Sequence, residues 1–157
     1  MGVGKTTIGK KLAKSLGAPF VDSDHEIASR YGAIPKIFET LGEKKFREFE
    51  EDVVLGQLGS YVVLATGGGA VLSARVREAL AVAFVVYLET DGRHMPARLA
   101  AGNRPLLKNG MGDWRAIYEA RRSLYEEVAD LTIDTSKNGL KENVKQILAG
   151  LEQHVES

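Results

Sequence analysis

The stretch Met1-Gly2-Val3-Gly4-Lys5-Thr6-Thr7 decides the fold, because it opens directly onto a helical pattern over 5–16. Gly4, Lys5 and Thr6 match the last three positions of the phosphate-loop pattern G-x-x-x-x-G-K-[ST]. Glycines in such a loop let backbone N–H groups approach a phosphate, and the positive end of the helix faces it. The lysine reaches the β- and γ-phosphates, and the hydroxyl holds Mg²⁺. The pattern therefore favours a nucleotide site over a glycine-rich tail followed by a basic helix.

The first glycine of this pattern would lie before Met1, as would the strand that normally leads into such a loop. We expect either that Met1 is an internal methionine taken as a start or that the chain is truncated. We therefore interpret the missing first half of the phosphate loop as a defect of this chain and not as evidence against the motif.

Helical patterns alternate with short apolar runs along the whole chain, which is typical of an α/β fold with a parallel sheet. The stretch 97–113 is basic and rich in glycine, and we interpret it as a mobile loop. The predicted helices cover about 5–16, 26–30, 43–58, 73–81, 114–128 and 140–153, and the predicted strands 19–21, 61–65, 83–88 and 131–133.

The composition excludes several classes of protein. The chain has 157 residues, 44% of them hydrophobic, which fits one globular domain. It has no cysteine, so disulfides, thiolate zinc sites and iron–sulfur clusters are excluded. Lys and Arg number 21, as do Asp and Glu, and this balance gives no support for a nucleic-acid or membrane-surface partner.

Two aspartates and three glycines follow predicted strands, where ligands bind in open parallel sheets. Asp22 and Asp24 could serve Mg²⁺ and a substrate hydroxyl, although Asp24 could instead be a helix N-cap. Asp22 is the metal candidate, acting through water, because the strand over 61–65 ends in Thr-Gly-Gly-Gly without an acid. Gly67-Gly68-Gly69 is interpreted as a substrate wall rather than a flexible turn, since close approach of a ligand would offset its entropic cost.

Several arginines stand where a ligand anion would explain them. Arg121 falls on the apolar stripe of its helix, and a buried arginine needs an anionic partner from the protein or from a ligand. Arg47 has Glu43 and Glu50 at helical spacing, so an ordinary ion pair and a ligand contact remain equally open for it. Arg98 and Arg104 belong to the basic loop, where a closing arginine could stabilise phosphoryl transfer or simply be solvated.

The ordered set of these motifs resembles the shikimate kinase family over nearly the whole chain. The motifs are Gly2-Val3-Gly4-Lys5-Thr6-Thr7, Asp22-Ser23-Asp24, Phe46-Arg47, Gly67-Gly68-Gly69, Arg104-Pro105-Leu106-Leu107 and Arg121-x-x-Leu124-Tyr125. The resemblance implies a three-layer α/β/α phosphate-loop kinase fold with a five-stranded parallel sheet. This chain would have four of the five strands, which would leave unpaired strand edges on both sides of the missing one.

The resemblance also implies a role for each matching residue. Gly2, Gly4, Lys5, Thr6 and Thr7 would bind ATP, and Thr6 and Asp22 would serve Mg²⁺. Asp24 would contact the substrate hydroxyls and take the proton, with Lys5, Asp24 and Arg104 as the catalytic residues. The shikimate pocket would comprise Asp24, Arg47, Gly67, Gly68, Gly69 and Arg121, with the two arginines on the carboxylate, while Arg104 would reach the phosphates and Arg98 the adenine.

The implied activity is ATP-dependent phosphorylation of the shikimate 3-hydroxyl, in the biosynthesis of chorismate and the aromatic amino acids. We expect one cytoplasmic, monomeric domain over 1–157, with substrate-binding helices over about 26–58 and a lid over about 97–113. No nucleic-acid or membrane partner is expected. Two alternatives remain: another small-metabolite kinase, such as a gluconate-type enzyme, and a truncated relative that binds shikimate without turnover.

Overall fold

The structure, a computed structural model, describes residues 4–89 and 111–156 of the chain. Strands and helices alternate there, as predicted, and short 3₁₀ turns lie at Ala70–Leu72 and Leu80–Val82. The strands are β1 (Phe20–Asp22), β2 (Val63–Ala65), β3 (Val86–Glu89) and β4 (Leu131–Asp134). The helices are α1 (Lys5–Leu16), α2 (Ser23–Tyr31), α3 (Ile34–Gln57), α4 (Ala74–Ala79), α5 (Met111–Val128) and α6 (Leu140–Glu156).

The four strands form two separate parallel pairs. β1 pairs with β2, with Asp22 opposite Ala65, and β3 pairs with β4, with Glu89 opposite Asp134. Within the described residues each sheet has only these two strands. The parallel direction confirms the predicted α/β class. Because parallel strands end at the same edge, the β1–β2 pairing brings the segment after Asp22 beside the glycines that follow Ala65.

A cavity of about 520 Å³ lies between the two strand pairs. Side chains of β2 and β3 line it from the two sheets, and the helix α1 contributes Ile8 and Leu12. Most of its lining is apolar, and at one end it reaches Lys5, Gly67 and Gly68. The inner edges of β2 and β3 therefore face a shared apolar space without a strand partner among the described residues.

The helix α3 is longer than its sequence pattern indicates. The prediction began at about residue 43, whereas the helix begins at Ile34, with a proline in its first turn. Gly42 breaks the regular backbone with φ 86° and ψ 166°, so two helical segments meet there at a kink. This left-handed φ favours glycine. The kink interrupts the hydrophobic periodicity, which explains why the first segment was missed.

The predicted lid over about 97–113 falls outside the described residues except at its end. The helix α5 begins at Met111, three residues before the predicted start at residue 114. Among the helices at 4–89 and 111–156, none combines the length and the apolar character that a membrane crossing requires.

We predict that an N-terminal extension with an apolar strand stabilises the chain. Such a strand would pair with the free edges of β2 and β3 and bury its side chains in the cavity. Burying two or three apolar side chains contributes about 3–9 kcal/mol, which at about 2–4 °C per kcal/mol for a domain of this size raises Tm by at least about 6 °C. Differential scanning calorimetry of the two chains provides the measurement.

The control is an extension of equal length made of glycine and serine. It adds the same number of residues but has neither the β-propensity nor the apolar area of the test segment. Equal Tm values for the two extended chains would show that the cavity does not accept a strand.

Candidate active site

The helix α1 begins directly after Gly4, and its first residue lies beside two carboxylates. Gly4 adopts a left-handed conformation with φ 82° immediately before the helix. The Lys5 Nζ atom lies 3.8 Å from Asp22 Oδ1 and 3.9 Å from Asp24 Oδ2. The ammonium group thus stands at the positive end of a helix, beside two carboxylates. Thr7 lies in the same first turn with an exposed side chain.

Asp22 organises the start of α2. Its Oδ1 atom accepts hydrogen bonds from the backbone N–H groups of Asp24, at 2.9 Å, and of His25, at 3.4 Å. The N-cap is therefore Asp22, and the alternative that Asp24 caps this helix is wrong. The helix begins earlier than predicted, at Ser23, so Asp24 lies inside its first turn. Its carboxylate remains partly exposed, which leaves it accessible to a ligand.

Thr6 and Asp22 present adjacent oxygen atoms that suit a hard cation. The Thr6 hydroxyl donates to Asp22 Oδ2 at 3.1 Å. Among the described residues, no group of three or more His, Cys, Asp or Glu side chains could enclose a metal ion. A pair of oxygen donors fits Mg²⁺, which usually takes few protein ligands and fills its octahedron with water and phosphate oxygens.

Gly67 separates two carboxylates. A Cβ atom on it would lie 2.7 Å from Asp24 Oδ1 and 2.8 Å from Glu50 Oε2, so a side chain there would displace both groups. The Gly67 N–H donates to the Ser23 Oγ atom at 3.1 Å, and Ser23 is fully buried. This bond joins the segment after β1 to the segment after β2, as the parallel pairing requires.

Arg47 lies across Gly69 and is held by acidic side chains. A Cβ atom on Gly69 would collide with the Arg47 guanidinium. Arg47 Nη1 lies 2.8 Å from Glu50 Oε1, and Arg47 Nε lies 3.4 Å from Glu43 Oε2. The helical ion pairs that the sequence left open therefore exist. They do not exclude a ligand contact, because the guanidinium faces the glycine segment.

Glu50 is the most deeply buried acid of this cluster. Its residue exposure is 2%. Burial raises its pKa above the ordinary 4.5, while the neighbouring Arg47 guanidinium lowers it. Asp24 and Arg121 also act on Glu50, raising and lowering its pKa respectively, so these groups share one electrostatic environment.

Arg121 and Tyr125 join this cluster from α5: Tyr125 bonds to Gly68, and Arg121 acts on Glu50 and Tyr125. Arg121 is 7% exposed, in agreement with its position on the apolar stripe. The Tyr125 hydroxyl donates to the carbonyl oxygen of Gly68 at 2.6 Å. The Arg121 side chain hydrogen bonds to Tyr125, and this charged neighbour opposes the rise in the Tyr125 pKa that burial causes.

The structure thus groups most of the candidate residues, and some lie outside its described part. Three of the candidates, Gly2, Arg98 and Arg104, fall on residues that are not described. The candidates that the structure brings to the ends of β1, β2 and α1 are Gly4, Lys5, Thr6, Asp22, Asp24, Arg47, Gly67, Gly68, Gly69 and Arg121.

Sequence reasoning missed three residues of this site. Glu50 entered only as a helical partner of Arg47, and Tyr125 only as the last residue of the motif Arg121-x-x-Leu124-Tyr125. Ser23 entered only as the middle of D-S-D. A glutamate beside two phenylalanines on the buried face of α3 would have identified Glu50 as a buried acid. For Ser23 and Tyr125, whose partners lie 44 and 57 residues away, local sequence gives no comparable signal.

Comparison with known proteins shows which family has this arrangement. The family model "Shikimate kinase" matches residues 1–152. A shikimate kinase of Thiobacillus denitrificans is 47% identical over 147 residues, covering 89% of this chain and 80% of the relative. A shikimate kinase of Pseudomonas entomophila is 46% identical over 160 residues, covering 98% of this chain and 92% of the relative.

Solved structures of shikimate kinases are similar to this chain in both sequence and fold. Shikimate kinase from Acinetobacter baumannii in complex with shikimate superposes with a TM-score of 0.92 at 42% identity, covering 98% of this chain and 89% of that one. Shikimate kinase from Aquifex aeolicus gives a TM-score of 0.83 at 32% identity, covering 99% and 94%. The chain belongs to the shikimate kinase family, and it is therefore a kinase that uses ATP.

We predict that Glu50→Gln changes how stability depends on pH. Because the pKa of Glu50 is raised in the folded state, its contribution to the free energy of unfolding is fully present below pH 4.5. This contribution is lost as pH rises through the folded-state pKa. The wild type should therefore lose stability relative to the glutamine variant from about pH 4.5 upward. Each unit of pKa shift corresponds to about 1.4 kcal/mol of this relative loss.

Urea unfolding at several pH values between 4 and 8 would measure the difference. The control is Glu48→Gln, which removes an exposed carboxylate of the same helix. A wild type that gains stability relative to Glu50→Gln as pH rises would contradict this prediction. An equal slope for Glu48→Gln would contradict the role of burial.

Proposed function

We propose that this protein transfers the γ-phosphoryl group of ATP to the 3-hydroxyl of shikimate, giving shikimate 3-phosphate and ADP for the biosynthesis of chorismate and the aromatic amino acids. The observation that carries this proposal is the 3.9 Å separation of Lys5 Nζ and Asp24 Oδ2. It sets a phosphate-binding cation beside a carboxylate that can receive a hydroxyl proton. The family membership and the shikimate complex of a structural neighbour support the choice of substrate.

The substrate pocket would extend from Asp24 along the glycine segment to the two arginines. Gly67, Gly68 and Gly69 would form its wall, and the missing side chains of Gly67 and Gly69 leave room for Asp24 and Arg47 respectively. Arg47 and Arg121 would bind the substrate carboxylate through charge-assisted hydrogen bonds. Glu50 holds Arg47 in place, so part of the pocket is ordered before substrate arrives.

In the reaction, the substrate hydroxyl oxygen would attack the γ-phosphorus and the bond from this phosphorus to the β–γ bridging oxygen would break. The hydroxyl proton would pass to the Asp24 carboxylate, which acts as general base. Lys5, together with Gly4 and the adjoining loop and helix start from Gly2 to Thr7, would bind the nucleotide phosphates. These groups position the reactants and neutralise charge, which is most of what phosphoryl transfer requires.

The Thr6 hydroxyl and, through water, the Asp22 carboxylate would hold Mg²⁺ at this site. Once bound, the ion supplies charge neutralisation for the nucleotide phosphates. The hydrogen bond between the Thr6 hydroxyl and Asp22 supports this assignment, because it holds the two oxygen atoms close enough to serve one ion.

The remaining parts of the proposal concern the whole protein. The chain would form one domain over 1–157, in which helices over about 26–58 help to bind substrate. Its lid, over about 97–113, would carry Arg104 to the phosphates and Arg98 to the adenine. The enzyme would act in the cytoplasm as a monomer, without a nucleic-acid or membrane partner. A coupled assay for ADP with shikimate and with gluconate tests the activity, and turnover of gluconate alone would overturn the assignment.

We expect Lys5→Ala to remove most turnover while the protein stays folded. The substitution deletes the cation that would neutralise charge on the β- and γ-phosphates, so kcat should fall by about 10²-fold or more. Lys10→Ala is the control, because Lys10 lies on the exposed side of the same helix. Near-normal kcat for Lys5→Ala, with a folded circular dichroism spectrum, would refute the phosphate-loop assignment.

We expect Arg121→Ala to weaken binding of shikimate rather than of ATP. The carboxylate is remote from the transferred group, so its contact should help the ground state and the transition state alike. Truncating one partner of a buried charge pair costs about 2–5 kcal/mol, which raises KM for shikimate by about 30-fold to several thousandfold. Steady-state kinetics with each substrate varied in turn provide the measurement.

The neighbouring Arg122→Ala is a matched control for this variant. Arg122 is exposed and pairs with Glu126 at 3.0 Å on the surface of α5. Its loss should leave both KM values close to the wild type. If Arg121→Ala instead loses ATP affinity and keeps shikimate affinity, the arginine belongs to the nucleotide side or to the protein core.

A further inference from the structure

Tyr125 connects two parts of the proposed substrate pocket that come from distant segments. Its hydroxyl donates to the Gly68 carbonyl at 2.6 Å, across 57 residues of sequence. The same side chain receives a hydrogen bond from Arg121. A phenol has one proton to donate and lone pairs to accept, so both bonds can form at once. Burial raises the pKa of Tyr125, which keeps its donor proton in place near neutral pH.

The direction of the Gly68 carbonyl is important because it also sets the direction of the next backbone N–H. In a trans peptide the C=O and the next N–H point in opposite directions, so fixing the Gly68 carbonyl also fixes the direction of the Gly69 N–H. This peptide belongs to the glycine segment on which Arg47 lies. A displaced Gly68 carbonyl would therefore rotate a backbone donor of the wall and shift the surface beneath Arg47.

The aromatic ring of Tyr125 is packed so that its hydroxyl has little freedom. Its centroid lies 5.3 Å from that of Tyr87 and 6.0 Å from that of Tyr118. The hydroxyls of Tyr87 and Tyr118 hydrogen bond to each other. The ring cluster thus contains the Tyr125 hydroxyl, which donates to Gly68, and the Tyr87 and Tyr118 hydroxyls, which bond to each other.

We propose that Tyr125 is a positioning residue for shikimate, which sets Arg121 and the Gly68–Gly69 peptide at a fixed distance from each other. Arg121 would bind the substrate carboxylate, and the Gly68–Gly69 peptide would face the substrate ring. The distance between Arg121 and this peptide therefore determines how well the substrate fits. This inference rests on the proposed function and adds a residue to the substrate side of the site.

The test is Tyr125→Phe, which keeps the ring and removes only the hydroxyl. Loss of one partially buried hydrogen bond beside a charged group should raise the Kd for shikimate by about 3- to 15-fold, measured by isothermal calorimetry without ATP. KM for shikimate should rise by the same factor while kcat and KM for ATP stay within about twofold, which is the signature of uniform binding.

Tyr87→Phe is the matched control, because it removes a buried hydroxyl from the same ring cluster without touching Gly68. It should lower Tm and leave the Kd for shikimate unchanged. If Tyr125→Phe behaves like this control, Tyr125 is a structural residue only and the inference is overturned. If the wild type itself binds no shikimate, the proposed function falls, and the two failures are therefore distinguishable.

Discussion

The arrangement of the site depends on the parallel pairing of β1 with β2, in which Asp22 lies opposite Ala65. Because both strands run in the same direction, Asp22 at the end of β1, Asp24 just after it and the glycines after β2 lie at one edge. A one-residue slip would reverse the facing of every side chain along the strand. The buried bond from the Gly67 N–H to Ser23 continues this pairing beyond the strands and fixes Asp24 against the wall.

At that edge of the sheet, the buried carboxylate of Glu50 is paired with a positively charged side chain. Burying Glu50 alone would be costly, and Arg47 at 2.8 Å offsets this cost. Arg47 is in turn placed over Gly69, where only the absence of a side chain leaves it room. The same ion pair thus sets the position of the Arg47 guanidinium, the group that we propose binds the substrate carboxylate.

The sequence predicted the individual residues of this site better than the contacts between distant segments. Lys5, Thr6 and the aspartates follow local patterns, and α1 has the predicted bounds Lys5–Leu16. Local patterns left the choice between a cap and a ligand role open for Asp24, whereas the Asp22 carboxylate caps α2 by accepting from the N–H groups two and three positions later. They also missed the first segment of α3, where a glycine kink breaks the period. Tyr125 could not be assigned from sequence, because its hydrogen-bond acceptor is brought close only by tertiary packing.

The cavity between the strand pairs connects this chemistry to the core of the fold. Its lining runs from Leu16 at one end of α1 to Lys5 at the other, and it includes Gly67, Gly68 and Tyr125. The packing of α1 on the sheet therefore determines where the Lys5 ammonium stands relative to Asp24. An apolar segment that fills the cavity would add contacts beneath both α1 and the glycine wall. Since cores transmit small displacements through close packing, the state of this cavity affects the positions of Lys5 and of the glycine segment together.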